Sequence, residues 1–232
     1  MKRMKSIGVV TAILFMLMLI ILFNIKFNNI NATKVKIGVI DSYISEETLS
    51  ELNIVNCVNY TNNCDETKNS HGKNTLQIIR KQCKNSEIHY ASVLNDKNST
   101  NIQTIISAVD WCINENVDII CMSLSTTENN ELLEHVIKKA IDNGIIITAS
   151  CINFSNVDCY PAMYDNVISV SEGANKNAMV IIKNKKIAVK ENGKKVEKTG
   201  TSVLTAYACG KIAKEKFINN KKIEDIVKNL NS

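Results

Sequence analysis

From residue 35 onward, short β-rich apolar runs alternate with amphipathic segments of helical period, and this alternation constrains the fold more than any other feature. Val35–Asp41 reads as a strand ending in an acid, and Gly72–Cys83 has helical spacing in Leu76, Ile79 and Cys83. Ile88–Leu94 reads as a second strand. Ile102–Asn114 places Ile102, Ile105, Ile106, Val109 and Ile113 on one helical stripe. Asp118–Leu124 is apolar enough to be buried on both faces. Glu131–Asn143 reads as an amphipathic helix closed by Gly144, followed by strands at Ile145–Ala149 and Asn166–Val170. Val180–Val196 reads as a hairpin turning at Asn192-Gly193, and Gly200–Phe217 and Ile223–Leu230 read as closing helices. The order predicts an α/β domain over 35–232: a parallel sheet with helices on both faces. Ligand sites in such sheets gather at the carboxyl ends of strands, where Asp41, Ser123–Ser125 and Cys151–Asn153 fall.

The N-terminal segment is organised differently. Residues 1–6 form a basic end, expected to stay cytoplasmic. Ile7–Phe23 is an uncharged apolar run of about 26 Å as a helix, close to the shortest that spans a bilayer. Residues 7–25 therefore read as a signal anchor, a transmembrane helix, or alternatively as a cleaved signal peptide. The anchor is favoured because no A-x-A site follows; Ile30-Asn31-Ala32 is a weak substitute. Residues 26–34 are a linker. The expected location is the cell membrane, single-pass, with the domain extracytoplasmic, or secretion if the segment is cleaved.

Net charge is +5, of which Lys2, Arg3, Lys5 and Lys26 supply four. The near-neutral remainder argues against a nucleic-acid-binding face. Lys183–Lys198 carries seven lysines and two glutamates, and on a hairpin reads as a solvated face. The eight cysteines suit an exported chain. Cys57/Cys64 and Cys151/Cys159 are candidate local bridges, while Cys112 and Cys121 read as buried thiols. Neither C-x-x-C nor a Cys/His cluster with zinc spacing occurs.

Three segments carry residue types suited to a serine nucleophile. Val39-Ile40-Asp41-Ser42 ends a strand in an acid that can orient an imidazole. Ser70-His71-Gly72 opens a helix; the other histidines, His89 and His135, fall in a strand and a helix with ordinary structural readings. Thr199-Gly200-Thr201-Ser202 also opens a helix, where a serine gains from N-terminal amides or serves merely as a cap.

Together these segments resemble the subtilisin-like serine peptidase family. His71-Gly72-Lys73-Asn74-Thr75-Leu76-Gln77 is similar to the family's His-Gly-Thr-His-Val-Ala-Gly, and Gly200 through Gly210 to its Gly-Thr-Ser-Met-Ala-x-Pro-His-Val-Ala-Gly. Tyr90–Leu94, Asp118–Ser125 and Tyr160–Ile168 resemble family core segments, and Gly144–Asn153 resembles Gly-(apolar)₄-Ala-Ala-x-Gly-Asn. The resemblance implies a three-layer fold and a serine endopeptidase acting through an acyl-enzyme. Asp41 would orient His71, His71 would act as the base for Ser202, and Asn153 would supply the oxyanion donor. Ser123, Leu124 and Ser125 would pair with an extended peptide or protein substrate. No cofactor is implied; the resemblance leaves room for calcium, but no metal ligands can be assigned.

The departures define an alternative. Ser125 and Ile152 replace glycines, Lys73-Asn74 alters the histidine helix, and Ala206-Tyr207 replaces Pro-His. The short His71-to-Ser202 interval suggests a trimmed core, and few residues before the first strand leave room for a pro-region. The alternative is a catalytically inactive domain of the same fold that binds peptides or a partner protein.

Overall fold

The structure, a computed structural model, describes residues 16–18, 34–62, 64–153 and 155–232. The chain divides into two units, Met1–Lys34 and Val35–Ser232. In the first, residues 16–18 are helical. The anchor expected over 7–25 otherwise lies outside the described residues. Among the described residues no helix is long and apolar enough to cross a membrane.

The second unit is built on a seven-stranded sheet, in which every pairing is parallel. The strands are β1 (Lys36–Ser42), β2 (Asn56–Asn59), β3 (Glu87–Leu94), β4 (Ile119–Met122), β5 (Ile146–Ser150), β6 (Ile168–Ser171) and β7 (Val180–Ile181), in the spatial order β2-β3-β1-β4-β5-β6-β7. The helices are α1 (Glu46–Glu51), α2 (His71–Gln82), α3 (Ile102–Asn114), α4 (Glu131–Asp142), α5 (Thr201–Ala213) and α6 (Ile223–Leu230). A π-helical turn, Lys214–Ile218, extends α5. Helices cover both faces, as parallel pairing requires of its crossovers.

β4 shows why its apolar run is unbroken. Ile120 and Met122 join the core beneath α3 and α4, while Ile119 and Cys121 join the opposite core beneath α2 and α5. Strand side chains alternate in direction, so a central strand needs apolar residues at both parities. Asn101 caps α3 through its Oδ1 to the Thr104 N–H (2.9 Å), and Asn130 caps α4 through Leu132 and Leu133 (both 3.1 Å). These bonds satisfy amides that lack an intrahelical partner.

Three expectations change. The hairpin is shorter than 180–196: Val180–Ile181 joins the main sheet beside β6, and only β8 (Ile187–Glu191) and β9 (Lys194–Lys198) form the antiparallel pair. The parallel ladder to β6 offers Val180 a fully buried position, which an exposed hairpin does not. β2 and α1 were not foreseen. β2 pairs its backbone with β3 while its side chains are mostly exposed, so it lacks an apolar period. The candidate bridges are absent, and all eight cysteines are free; Cys57 is exposed and Cys64 half-buried.

The candidate active site

Asp41 is fully buried at the end of β1, where the register with β3 slips between Asp41 and Ser42. Three donors converge on its carboxylate. Oδ1 accepts from the Ser42 amide and from His71 Nδ1, each at 2.6 Å, and Oδ2 accepts from Thr75 Oγ1 at 2.9 Å. His71 and Thr75 stand one turn apart on α2, so both face the same carboxylate. An ionised carboxylate only accepts, so Nδ1 carries the proton and Nε2 is left as the basic nitrogen. The Asp41 charge is the main cause that raises the His71 pKa above its ordinary 6.5, while burial of the ring opposes the rise.

The start of α2 is locked from below. The Gly72 amide donates to Ser42 Oγ (2.8 Å), and the buried Tyr90 hydroxyl on β3 donates to the Ser42 carbonyl (2.6 Å). A Cβ on Gly72 would run into that Tyr90 hydroxyl and approach the Ser42 carbonyl to 2.9 Å. Gly72→Ala should therefore destabilise the fold by about 1–3 kcal/mol, the usual cost of overpacking. An unchanged denaturation midpoint would contradict this packing. From outside, Glu191 on β8 accepts from Ser70 Oγ (3.0 Å) and Asn74 Nδ2 (2.7 Å), and pairs with Lys198 (2.8 Å). The lysine-rich hairpin is thus solvated outward but fastened to the histidine helix through its acid.

Ser202 is the second residue of α5, after Gly200 at φ +106°. That backbone conformation favours glycine, and its ideal Cβ position lies 3.4 Å from Asn153 Oδ1. Asn153 Oδ1 accepts the Thr201 amide at 2.8 Å, one of the unpaired donors that open α5. This contact fixes the amide's orientation, with Oδ1 as the accepting end and Nδ2 as the donor end. The Ser202 hydroxyl donates to the Ser123 carbonyl at 3.0 Å, and Ser123 Oγ donates back to the Ser202 carbonyl at 3.2 Å. The serine proton is therefore held by β4's exit rather than by the imidazole.

His71, Ser202, Asn153 and Ser123–Ser125 all line one open cleft of about 950 Å³. All the candidate site positions of the sequence are thus brought together. The cleft's other wall, residues 98–102 with Leu94 and Ile105, was not foreseen, nor were Thr75, Ser42 and Tyr90 as supports. An acid-to-threonine pair separated by 34 positions has no local signature. Among the described residues, no group of three or more His, Cys, Asp or Glu side chains could hold a metal ion.

A sequence model of the subtilase family matches residues 32–225, and the chain belongs to that family. Among curated proteins it is similar to the minor extracellular protease Epr of Bacillus subtilis, 31% identical over 157 residues, covering 62% of this chain and 24% of Epr. It is similar to subtilisin DY of Bacillus licheniformis, 28% identical over 161 residues, covering 62% of this chain and 58% of that protein. The chain thus spans less than two thirds of either relative. Among solved structures, the prenylagaramide maturation protease PagA superposes with a TM-score of 0.66 at 17% identity, covering 81% of this chain and 78% of that one. This likeness concerns the fold.

Proposed function

We propose that the chain is a serine endopeptidase that cleaves peptide bonds through Asp41, His71 and Ser202, with Asn153 as oxyanion donor. The observation that carries this reading is the Asp41–His71 bond of 2.6 Å opening onto the same cleft as Ser202 and Asn153. A peptide would lie extended along Ser123-Leu124-Ser125, pairing its backbone there. His71 Nε2 takes the Ser202 proton as Oγ attacks the carbonyl carbon, and Asp41 offsets the imidazolium charge. Asn153 Nδ2 and the Ser202 amide receive the developing oxyanion. His71 then protonates the leaving amine, and water repeats the sequence on the acyl-enzyme. The relatives described as proteases favour a peptide or protein substrate. The apolar run at 7–23 favours action outside the membrane, from an anchored or secreted form.

A second reading is a silent, peptide-binding domain. Its support is the Ser202 hydroxyl, which donates to Ser123 rather than His71, and Ile152 beside the oxyanion donor. Labelling the full chain with a fluorophosphonate separates the two. The peptidase gives one adduct, mapped to Ser202. Protein folded by circular dichroism that takes no adduct belongs to the silent reading. If the oxyanion assignment holds, Asn153→Ala lowers kcat by about 10²–10³ with little change in KM. A kcat within a few-fold of the unmutated chain would remove Asn153 from the mechanism.

A further inference from the structure

His71 and Ser202 open two helices that pack side by side, α2 and α5. At the far ends of these helices direct packing sets the spacing. A Cβ on Gly210 of α5 would lie 2.8 Å from Gln82 Cβ and 3.0 Å from the Ile79 carbonyl oxygen, both on α2, so the glycine fixes the approach there. At the near ends the bonds of the two groups run elsewhere. His71 Nδ1 bonds Asp41 on β1, and the Ser202 hydroxyl donates to Ser123 at the exit of β4. Neither bond joins one helix to the other.

Glu191, the last residue of β8, makes that connection. Its Oε1 accepts from Ser70 Oγ at 3.0 Å and from Asn74 Nδ2 at 2.7 Å, and pairs with Lys198 Nζ at 2.8 Å. Ser70 precedes His71, and Asn74 stands one turn along the same helix. Lys198 ends β9, just before the Thr199-Gly200-Thr201 lead-in to Ser202. One carboxylate oxygen thus grips the chain on both sides of the histidine and, through Lys198, the segment that delivers the serine. The hairpin is itself held against sliding along α2. Gln77 Nε2 donates to the Lys190 carbonyl at 2.9 Å, and Gln77 Oε1 accepts the Lys190 amide at 2.7 Å. Ile187 and Val189 of β8 share a core with Leu76 and Ile79 of α2. The lead-in is fastened on its other side too: Thr199 Oγ1 donates to Glu172, and the Thr201 amide donates to Asn153. The bonds from Lys198, Asn74 and Ser70 hold the Glu191 carboxyl below its ordinary range, so the contact is charged at neutral pH.

We propose that Glu191 is a positioning residue for the peptidase reaction: it joins the histidine helix to the serine lead-in and so sets the spacing of His71 Nε2 and Ser202 Oγ. This inference rests on the serine-peptidase reading above. The charge state of His71 is set chiefly by Asp41, so Glu191 acts through geometry rather than through its field. A misplacement of about 1 Å in a reacting pair costs about 10² in rate.

The test compares the full chain with Glu191→Ala, Glu191→Gln and Lys198→Met, each well below its own Tm. The readouts are the rate of fluorophosphonate labelling at Ser202 and the kcat and KM for a peptide. In Glu191→Ala the labelling rate and kcat should both fall by about 10–10², with KM within a few-fold and the acid limb of the rate–pH profile unmoved. Glu191→Gln keeps an accepting oxygen for the same donors and should recover most of the loss. Lys198→Met, which frees only the serine side, should lose rate as the alanine variant does, and it carries the test alone if Glu191→Ala folds poorly. In a parent chain that labels, several results would overturn the positioning role and leave the peptidase reading standing. These are an unchanged labelling rate and kcat, a fall confined to Tm or KM, a displaced acid limb, or no recovery in Glu191→Gln. A folded parent chain that takes no adduct and cleaves no peptide would instead remove the peptidase reading, and the positioning role with it.

Discussion

If the proposed triad holds, replacing Ser202 with alanine should lower kcat for peptide hydrolysis by about 10⁶ and abolish the fluorophosphonate adduct, the loss expected when the nucleophile of such a triad is removed. The structure makes a narrower point about how the serine is armed. Its hydroxyl donates to the Ser123 carbonyl, and Ser123 donates back to the Ser202 carbonyl. A peptide lying along 123–125 brings its own N–H groups to that rail. On the proposed mechanism, one that bonds the Ser123 carbonyl would compete with the Ser202 hydroxyl and free it for His71 Nε2. Removing the hydroxyl deletes one neutral hydrogen bond, worth about 1 kcal/mol, so the alanine protein should melt within a few degrees of the parent. Hydrolysis and labelling are the measurements. A silent binding domain predicts no change in either, because there would be no activity to lose.

The parts of this molecule that were legible in the sequence are those whose burial writes a period. β4 is sandwiched between two helical layers, so its run had to be apolar at every position. α4 buries Leu133, Val136, Ile137 and Ala140 on one stripe and stops at Gly144, at φ +81°. β2 contributes backbone bonds at an edge and few buried side chains, so nothing marked it. The hairpin is shorter than its apolar run suggests because Val180–Ile182 is apolar for a different reason, its place beside β6. The candidate site divides in the same way. Asp41, His71, Asn153 and Ser202 stand out in the sequence as candidates because each sits at a strand exit or helix start within a recognisable local motif. Thr75, Tyr90 and the wall at 98–102 act only through tertiary contact, which leaves no local pattern.

Asp41→Asn should cost about 10⁴ in kcat, the loss expected when the acid of such a triad becomes an amide. The carboxylate receives donors on both oxygens: Ser42 N–H and His71 Nδ1 on Oδ1, and Thr75 on Oδ2. An amide accepts at one end only and carries no charge to offset the imidazolium that the proposed mechanism forms at His71. The pH profile should move as well, and its direction is fixed by the same contacts. Asp41 is the main cause that raises His71 above 6.5, so in the unmutated chain activity should rise with pH through a midpoint above that value, as the imidazole becomes neutral. Without the charge, burial remains and disfavours the imidazolium, so the residual activity should reach its half-maximum at lower pH than in the parent. Stability has the opposite sense. A raised histidine pKa stabilises the fold fully below the unfolded value near 6.5, and that contribution fades as pH rises through the folded value. The variant should therefore lose most stability relative to the parent in acid. Rate profiles and denaturation midpoints between about pH 5 and 9 test both signs, and an acid limb that stays in place would mean that Asp41 does not set the charge state of His71.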